Sequence, residues 1–297
     1  MNKFNIFILL LSVVYIFYNF DFTKIDWSIF NIFGVCLTIF IVFLGQVFLS
    51  IRWQKLTKLS FKSAFETTIV SSFLNMVLPA KLGEVSKILY LKKFYNQAIN
   101  KISASLFVER FFDIIMLGII MLMFFYFYFQ NEILENSIIS LILFIFLCLI
   151  FFKLPIFKKL LKKIPIKFVR VYSQKLYNNI NKILNSPFEI IFWSLMVWGS
   201  YFLANGVFYY YGVKFDLDFI QIFEIFLFSS IVLSISITPG GIATYEAAMV
   251  FVLSKYGIDK ENAFMASFVY HFILYFVDFI LFGIFLFVKD LKFKDLK

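Results

Sequence analysis

The 297-residue chain is 62% hydrophobic and 22% aromatic, with only 15% charged residues and a mean hydropathy of +0.90. That balance excludes an ordinary soluble domain. The net charge of +10 does not point to nucleic acid, because the lysines and arginines collect in short segments between long apolar runs.

Those runs, each about 20 residues long, predict an all-α polytopic membrane protein with a single membrane domain over 1–297. They lack the alternation of barrel strands. Basic residues cluster at 52–62, 92–101, 153–182 and 289–297. Acids cluster at Asp21 and Asp26, Glu132 and Glu135, Asp216 and Asp218, and Asp259 and Glu261. By the positive-inside rule the first set is cytoplasmic and the second external. Both termini are then cytoplasmic, in a bacterial inner membrane. Cys36 and Cys148 sit alone inside apolar runs, so no metal site, disulfide framework or cofactor is expected.

In chain order, a first span at about 4–20 follows Lys3. No small-x-small cleavage site follows it, so it reads as a retained helix. A second span at about 27–51 returns inward and ends at Arg52-Trp53, which reads as an interfacial anchor pair. Segment 64–91 begins and ends at basic cytoplasmic loops and is broken at Pro79. Proline lacks an N–H and clashes with the preceding turn. Arms of about 15 residues do not each span a bilayer, so this segment reads as a re-entrant hairpin. Irregular backbone at such depth must be buried in protein or line water. A third span at about 103–129 leads out to the acidic 130–136 turn.

The second half begins outside, with a span at about 137–153. The basic segment 153–186 follows, and its part from Ile166 to Leu184 has the spacing of an amphipathic helix on the inner leaflet. A span at about 187–211 goes out. Segment 219–255 is broken at Thr238-Pro239-Gly240-Gly241 and reads as a second hairpin or as two full spans. A last span, about 262–288, exits to the basic C-terminus. Repeat one, about 1–130, and repeat two, about 137–288, therefore match: about six transmembrane helices and two Pro/Gly-broken hairpins. Pro79 to Arg110 is 31 residues and Pro239 to His271 is 32. This is the pattern of an inverted-topology repeat, whose discontinuous helices meet near the midplane to form a substrate site.

Of the 28 Lys/Arg, only Lys81, Lys87 and Arg110 fall at predicted membrane depth. Beside them are Glu84, Glu109, Asp113, Glu246, His271 and Asp278. Glu84 and Lys87, like Arg110 and Asp113, are one helical turn apart, and Glu109 and Asp113 are i, i+4, so each set shares a face. Mutual neutralisation would account for any one of these residues. Gathered in two corresponding places, they indicate a functional site. Helix arms starting after Pro79 and Pro239 would point free N–H groups and positive dipole ends at the midplane, which favours an anion such as phosphate. His271 is seven residues before Asp278, on the same face. Hydrogen-bonded packing is its default reading and a proton relay the minor one. Glu66, Glu189 and Glu224 lie near predicted helix starts, where acids suit the dipole.

Asn75, Leu78-Pro79, Lys81, Gly83-Glu84 and Lys87, then Glu109-Arg110 and Asp113, then Pro239-Gly240-Gly241 and Glu246-Ala247-Ala248, resemble the lysylphosphatidylglycerol synthase transmembrane (flippase-like) family over nearly the whole chain. The resemblance implies a stand-alone membrane domain without the soluble synthase domain. It also implies movement of lipid between leaflets rather than lipid aminoacylation. The reading of the buried charges and the resemblance together give as candidate site Asn75, Pro79, Lys81, Gly83, Glu84, Lys87, Glu109, Arg110, Asp113, Pro239, Gly240, Gly241, Glu246, His271 and Asp278, with no catalytic residue and no metal. Lys81 and Lys87 stand where the family usually has arginine, Ala243 replaces a common glycine, and His271 stands where arginine is frequent. Lysine cannot grip a phosphate bidentately as arginine does.

The expected function is translocation of an anionic phospholipid or lipid-linked envelope precursor. An ion-coupled small-solute transporter, or a membrane enzyme or partner acting on polyprenyl-phosphate lipids, remains an alternative reading. The expected partners are a membrane lipid as substrate and a separate lipid-modifying enzyme, and no nucleic acid. The topology has a direct check. Green fluorescent protein fused after Lys297 should fluoresce, and alkaline phosphatase fused there should be inactive. The reverse result would invert the assignment.

Overall fold

The computed structural model describes residues 21–78, 81–129, 161–162, 165–235 and 238–289. Pro79 and the spans expected at about 4–20 and 137–153 lie outside the described residues. Within them the chain forms nine α-helices and no strand. They are α1 (Ile32–Thr57), α2 (Phe61–Val77), α3 (Gly83–Tyr95), α4 (Ile99–Phe129), α5 (Lys167–Ile183), α6 (Pro187–Val207), α7 (Phe219–Ile235), α8 (Thr244–Lys255) and α9 (Lys260–Lys289). α6 continues as a π-helical turn, Phe208–Gly212.

Three of these segments are long and apolar enough to cross a membrane: Ile32–Thr57, Pro187–Gly212 and Lys260–Lys289. α7 is equally apolar but shorter, at 17 residues. α4 has 31 residues, about 46 Å at 1.5 Å per residue. Many large apolar side chains face outward, among them Ile32, Phe33, Phe188, Phe251 and Phe287. An exterior of that kind suits lipid and would be a liability in water.

The helix boundaries follow local chemistry. α1 starts five residues later than its apolar run suggests. Asp21 and Asp26 each accept the N–H two residues on, at 3.1 Å from Thr23 and 2.9 Å from Ser28, and so close short 3-10 turns instead. At the second break Thr238-Pro239 opens a 3-10 turn, Pro239–Gly241, with Gly240 at φ 61. That left-handed value is what glycine tolerates.

The chain divides into two units. One comprises Met1–Val47, Thr68–Ser86 and Val197–Lys297, and the other Phe48–Thr67 and Lys87–Met196. The first unit is built on a core of Phe208, Tyr209, Ile225, Tyr245, Met249, Leu253, Ala266 and Tyr270, drawn from the π turn, α7, α8 and α9. Phe73 of α2 stacks on Phe282 of α9, with ring centroids 3.9 Å apart. Between apolar lipid and an apolar core there is little hydrophobic gain. Close packing and interhelical hydrogen bonds hold such helices together. In the second unit α4 packs on α5, where Tyr172 donates to Ser103 at 3.2 Å. Ser105 of α4 donates to the Leu56 carbonyl of α1 at 2.9 Å.

The two arms of each broken segment pack side by side. In the first, Ser71 of α2 donates to the Gly83 carbonyl of α3 at 3.1 Å. A Cβ on Gly83 would lie 2.4 Å from the Asn75 nitrogen and 2.6 Å from the Ser71 carbonyl oxygen. Only glycine allows that approach.

Glu66 and Glu224 do not serve as helix-start acids. Each is the sixth residue of its helix, α2 and α7, and each is buried under a tyrosine from the end of the paired arm. Tyr95 donates to Glu66 at 2.5 Å and Tyr90 at 3.2 Å. Tyr256 donates to Glu224, which Lys255 also meets at 2.8 Å. Burial requires these partners, since an unpaired carboxylate in an apolar setting is costly.

Gly83→Ala should lower the midpoint of thermal unfolding, since its Cβ meets backbone that cannot swing aside. Gly199→Ala, where nothing lies within 4 Å of the new carbon, should be neutral or stabilising by up to about 1 kcal/mol from helix propensity. Thermal scans of the purified proteins in detergent check both.

Candidate functional site

A charged residue in the interior of an apolar protein needs a counter-charge and hydrogen bonds on its remaining polar atoms. In the second unit Arg52, in the last two turns of α1, finds its counter-charges on α4. Its Nη1 lies 2.6 Å from Asp113 Oδ1, and its Nη2 lies 3.3 Å from both Asp113 Oδ2 and Glu109 Oε1. Ser194 of α6 takes a further Nη1 contact at 3.4 Å. Lys87 of α3 donates to Glu109 Oε2 at 2.6 Å and rides over the Trp53 ring at 4.4 Å. Arg110 closes the set, with Nη2 2.9 Å from Asp113 Oδ2 and 3.5 Å from Glu109 Oε2.

Exposure grades this network. Arg52 and Glu109 have 0% side-chain exposure, Asp113 17% and Arg110 36%. Arg110 is therefore the cation at the open edge, and Arg52 the anchor beneath it. The i, i+4 spacing of Glu109 and Asp113 does the local work: it turns both carboxylates to one face, where a single guanidinium can bridge them.

Arg52 was not expected here. Arg52-Trp53 reads in the sequence as an anchor pair at the membrane interface, yet both residues are completely buried. α1 runs on to Thr57, so Arg52 is still inside a helix where the reading places a helix end. One signal was available. Only three of the 28 basic residues are arginines, at 52, 110 and 170, and two of the three meet in this network. Arginine's fork is suited to bridging carboxylates in a way lysine is not.

The second constellation lies in the first unit, at the Pro239 break. Pro239, Gly240 and Gly241 are all buried. Glu246, in the first turn of α8, accepts the Ala243 N–H at 2.6 Å on Oε2. This is the reciprocal half of a capping box, and Ala243 offers no side-chain acceptor for the other half. The other oxygen, Oε1, is 2.6 Å from His271 Nδ1. His271 Nε2 is 3.0 Å from the Gly240 carbonyl oxygen. Tyr245 and Tyr275 flank the imidazole, each with its ring centroid 4.5 Å away. A Cβ on Gly240 would meet the Tyr275 hydroxyl at 2.5 Å and the Met76 carbonyl oxygen at 2.9 Å. The end of α2 thus touches the Gly240 turn.

The sequence-selected residues divide accordingly. Lys87, Glu109, Arg110 and Asp113 meet with Arg52. Gly240, Glu246 and His271 meet with one another. Asn75 faces Gly83 across the first break, where Glu84 occupies the first turn of α3. Lys81 takes a left-handed conformation, φ 53. Asp278 is two turns along α9 from His271, whose ring nitrogens face Glu246 and Gly240 rather than Asp278. The amides expected to be free at the second break are largely used. Those of Gly241, Ile242 and Ala243 bond to Thr238, Pro239 and Glu246.

The family described as the lysylphosphatidylglycerol synthase TM region matches residues 4–281. A UPF0104 membrane protein of Methanocaldococcus jannaschii is 26% identical over 228 residues, covering 72% of this chain and 93% of that protein. No solved structure matches.

Arg52→Leu should lower stability by about 3–5 kcal/mol, since it removes the buried cation that bridges Glu109 and Asp113. Lys55→Leu, which removes a pair to Glu189 at 3.2 Å between half-exposed side chains, should cost no more than about 1 kcal/mol. Thermal unfolding in detergent measures both. Equal effects would refute the assignment of Arg52 as a buried anchor.

Proposed function

Since the chain belongs to the lysylphosphatidylglycerol synthase TM family of integral membrane proteins, we propose that it moves an anionic lipid, a phospholipid or a lipid-linked envelope precursor, between membrane leaflets. The observation that carries this reading is the graded ion network around Arg110. A deeply buried guanidinium, Arg52, holds Glu109 and Asp113, and those carboxylates hold a second guanidinium, Arg110, at the open edge. Such a mount presents a positive fork that has already lost part of its side-chain entropy. A fork of that kind suits a phosphate oxygen pair.

The apolar exterior supports the same reading, because a lipid's chains can stay in the bilayer while its headgroup follows a polar path. Lys87 adds positive charge from the α3 arm, and its seat over Trp53 fixes its direction. Glu84 and Glu246 each stand in the first turn after a break. No covalent step is part of this reading. A separate lipid-modifying enzyme would supply or consume the cargo.

Proteoliposomes carrying the protein and a fluorescent phosphatidylglycerol should lose outer-leaflet asymmetry faster than protein-free vesicles. Arg110→Ala should slow this roughly tenfold or more, the worth of one charge-assisted hydrogen bond, and Glu84→Gln should slow it too. Absence of movement with phosphatidylglycerol and with a polyprenyl-phosphate lipid alike would overturn the proposal.

A further inference from the structure

His271 presents a problem of hydrogen accounting. Both of its ring nitrogens face oxygen acceptors: Nδ1 a Glu246 carboxyl oxygen at 2.6 Å, and Nε2 the Gly240 carbonyl at 3.0 Å. A neutral imidazole has one N–H and cannot donate to both. The carbonyl can only accept, so Nε2 carries a hydrogen. The short contact at Nδ1 then needs a second one, either on the ring as imidazolium or on Glu246 as a carboxylic acid. In both states the pair holds one proton beyond neutral histidine plus carboxylate. The other Glu246 oxygen is occupied by the Ala243 N–H, so the carboxyl cannot rotate away without losing that bond.

We infer that the Glu246–His271 pair is a proton-binding site whose occupancy clasps the Pro239–Gly241 turn, making the movement of the broken helices proton-coupled. The inference rests on the translocase reading and supplies its energy source. With the proton bound, three bonds tie α8, α9 and the turn together. When the proton leaves to water, the Nδ1 lone pair faces a carboxylate oxygen, and the two repel. The ring can turn to relieve this only by giving up Gly240. Release therefore loosens the turn on which the Met76 carbonyl of α2 rests.

The surroundings frame this switch. On α8 the neighbour is Tyr245, whose hydroxyl meets Ser229 of α7 at 3.3 Å. On α9 it is Tyr275, which stands between the pair and Asp278. The π turn contributes Tyr209, in electrostatic contact with Glu246. From α2 the Met76 carbonyl approaches the Gly240 side. Among the described residues the site's polar neighbours include phenols, the Ser229 hydroxyl and the Asp278 carboxyl group, and Thr238 and Thr244 bond within the turn itself. All of this lies within one unit.

Glu246→Gln separates the proton from the geometry. The glutamine oxygen can accept the Ala243 N–H while its NH2 donates to Nδ1 of a neutral ring, and Nε2–H still donates to Gly240. Every bond survives without the extra proton. The test places spin labels at Val77 and Ile235, exposed residues that end α2 and α7, in a protein with Cys36 and Cys148 changed to serine. In the protein with native Glu246 a short, narrow label distance at low pH should give way to a longer, broader one as pH rises. In Glu246→Gln the short distance should persist throughout. A distance insensitive to pH in the parent, or a pH response retained in Glu246→Gln, overturns the proposal. The same proteins are then assayed for phosphatidylglycerol movement with and without an imposed pH gradient. A label response without lipid movement upholds the proton site and removes the translocase reading. Lipid movement at equal rates with and without a gradient, and no label response, does the opposite.

Discussion

An arginine that cannot reach water governs this molecule. The Arg52 guanidinium has no exposed surface, and it retains its charge under any condition a protein meets. Two carboxylates must therefore come to it, and they come one turn apart on α4. Their own surplus of lone pairs then calls in Lys87 and Arg110. Four helices of the second unit, α1, α3, α4 and α6, are joined through that chain of needs. In water such a cluster could swap its partners for solvent at little cost. In an apolar setting no such exchange is offered, so the arrangement is held firmly.

The two broken segments share a scaffold and differ in polarity. Each is closed at its base by a glutamate at the sixth position of its first helix and a tyrosine at the end of its second. At its other end, each places one ionisable group from the second arm against one from the following helix. In the first segment the arm supplies the cation, Lys87, and the helix supplies the acid, Glu109. In the second the arm supplies the acid, Glu246, and the helix supplies the base, His271. A lysine–carboxylate pair and a histidine–carboxyl pair thus occupy corresponding stations. Division of labour between substrate holding and energy coupling would exploit that difference.

Much of this is readable in the sequence. Apolar period and Pro punctuation brought α5 and α9 within two residues of their ends, α5 through its amphipathic spacing and α9 through its long apolar run. The late start of α1 was hidden in turn chemistry, where Asp21 and Asp26 satisfy their own backbone. Arg52 was hidden because its neighbours in sequence, like those of Lys55, say only that a helix is ending. What distinguishes them is Asp113, 61 residues away. His271 was matched with Asp278 because a single helix face is all that spacing reports. Its true acid, Glu246, comes from another helix. Glu66 and Glu224 look like dipole partners until the tyrosines closing over them are seen, and only their shared sixth position could have linked them.

Ala243 carries a Cβ at φ 66, ψ −36, a conformation that costs an L-residue roughly 1–2 kcal/mol. Its N–H is held by Glu246, so the strain is retained by the same carboxyl group that faces His271. On the inferred proton clasp, weakening of that grip would let the alanine backbone relax. A glycine there would remove the strain without touching any contacting side chain. If the clasp works as inferred, one methyl group would bias the second break independently of what the site binds.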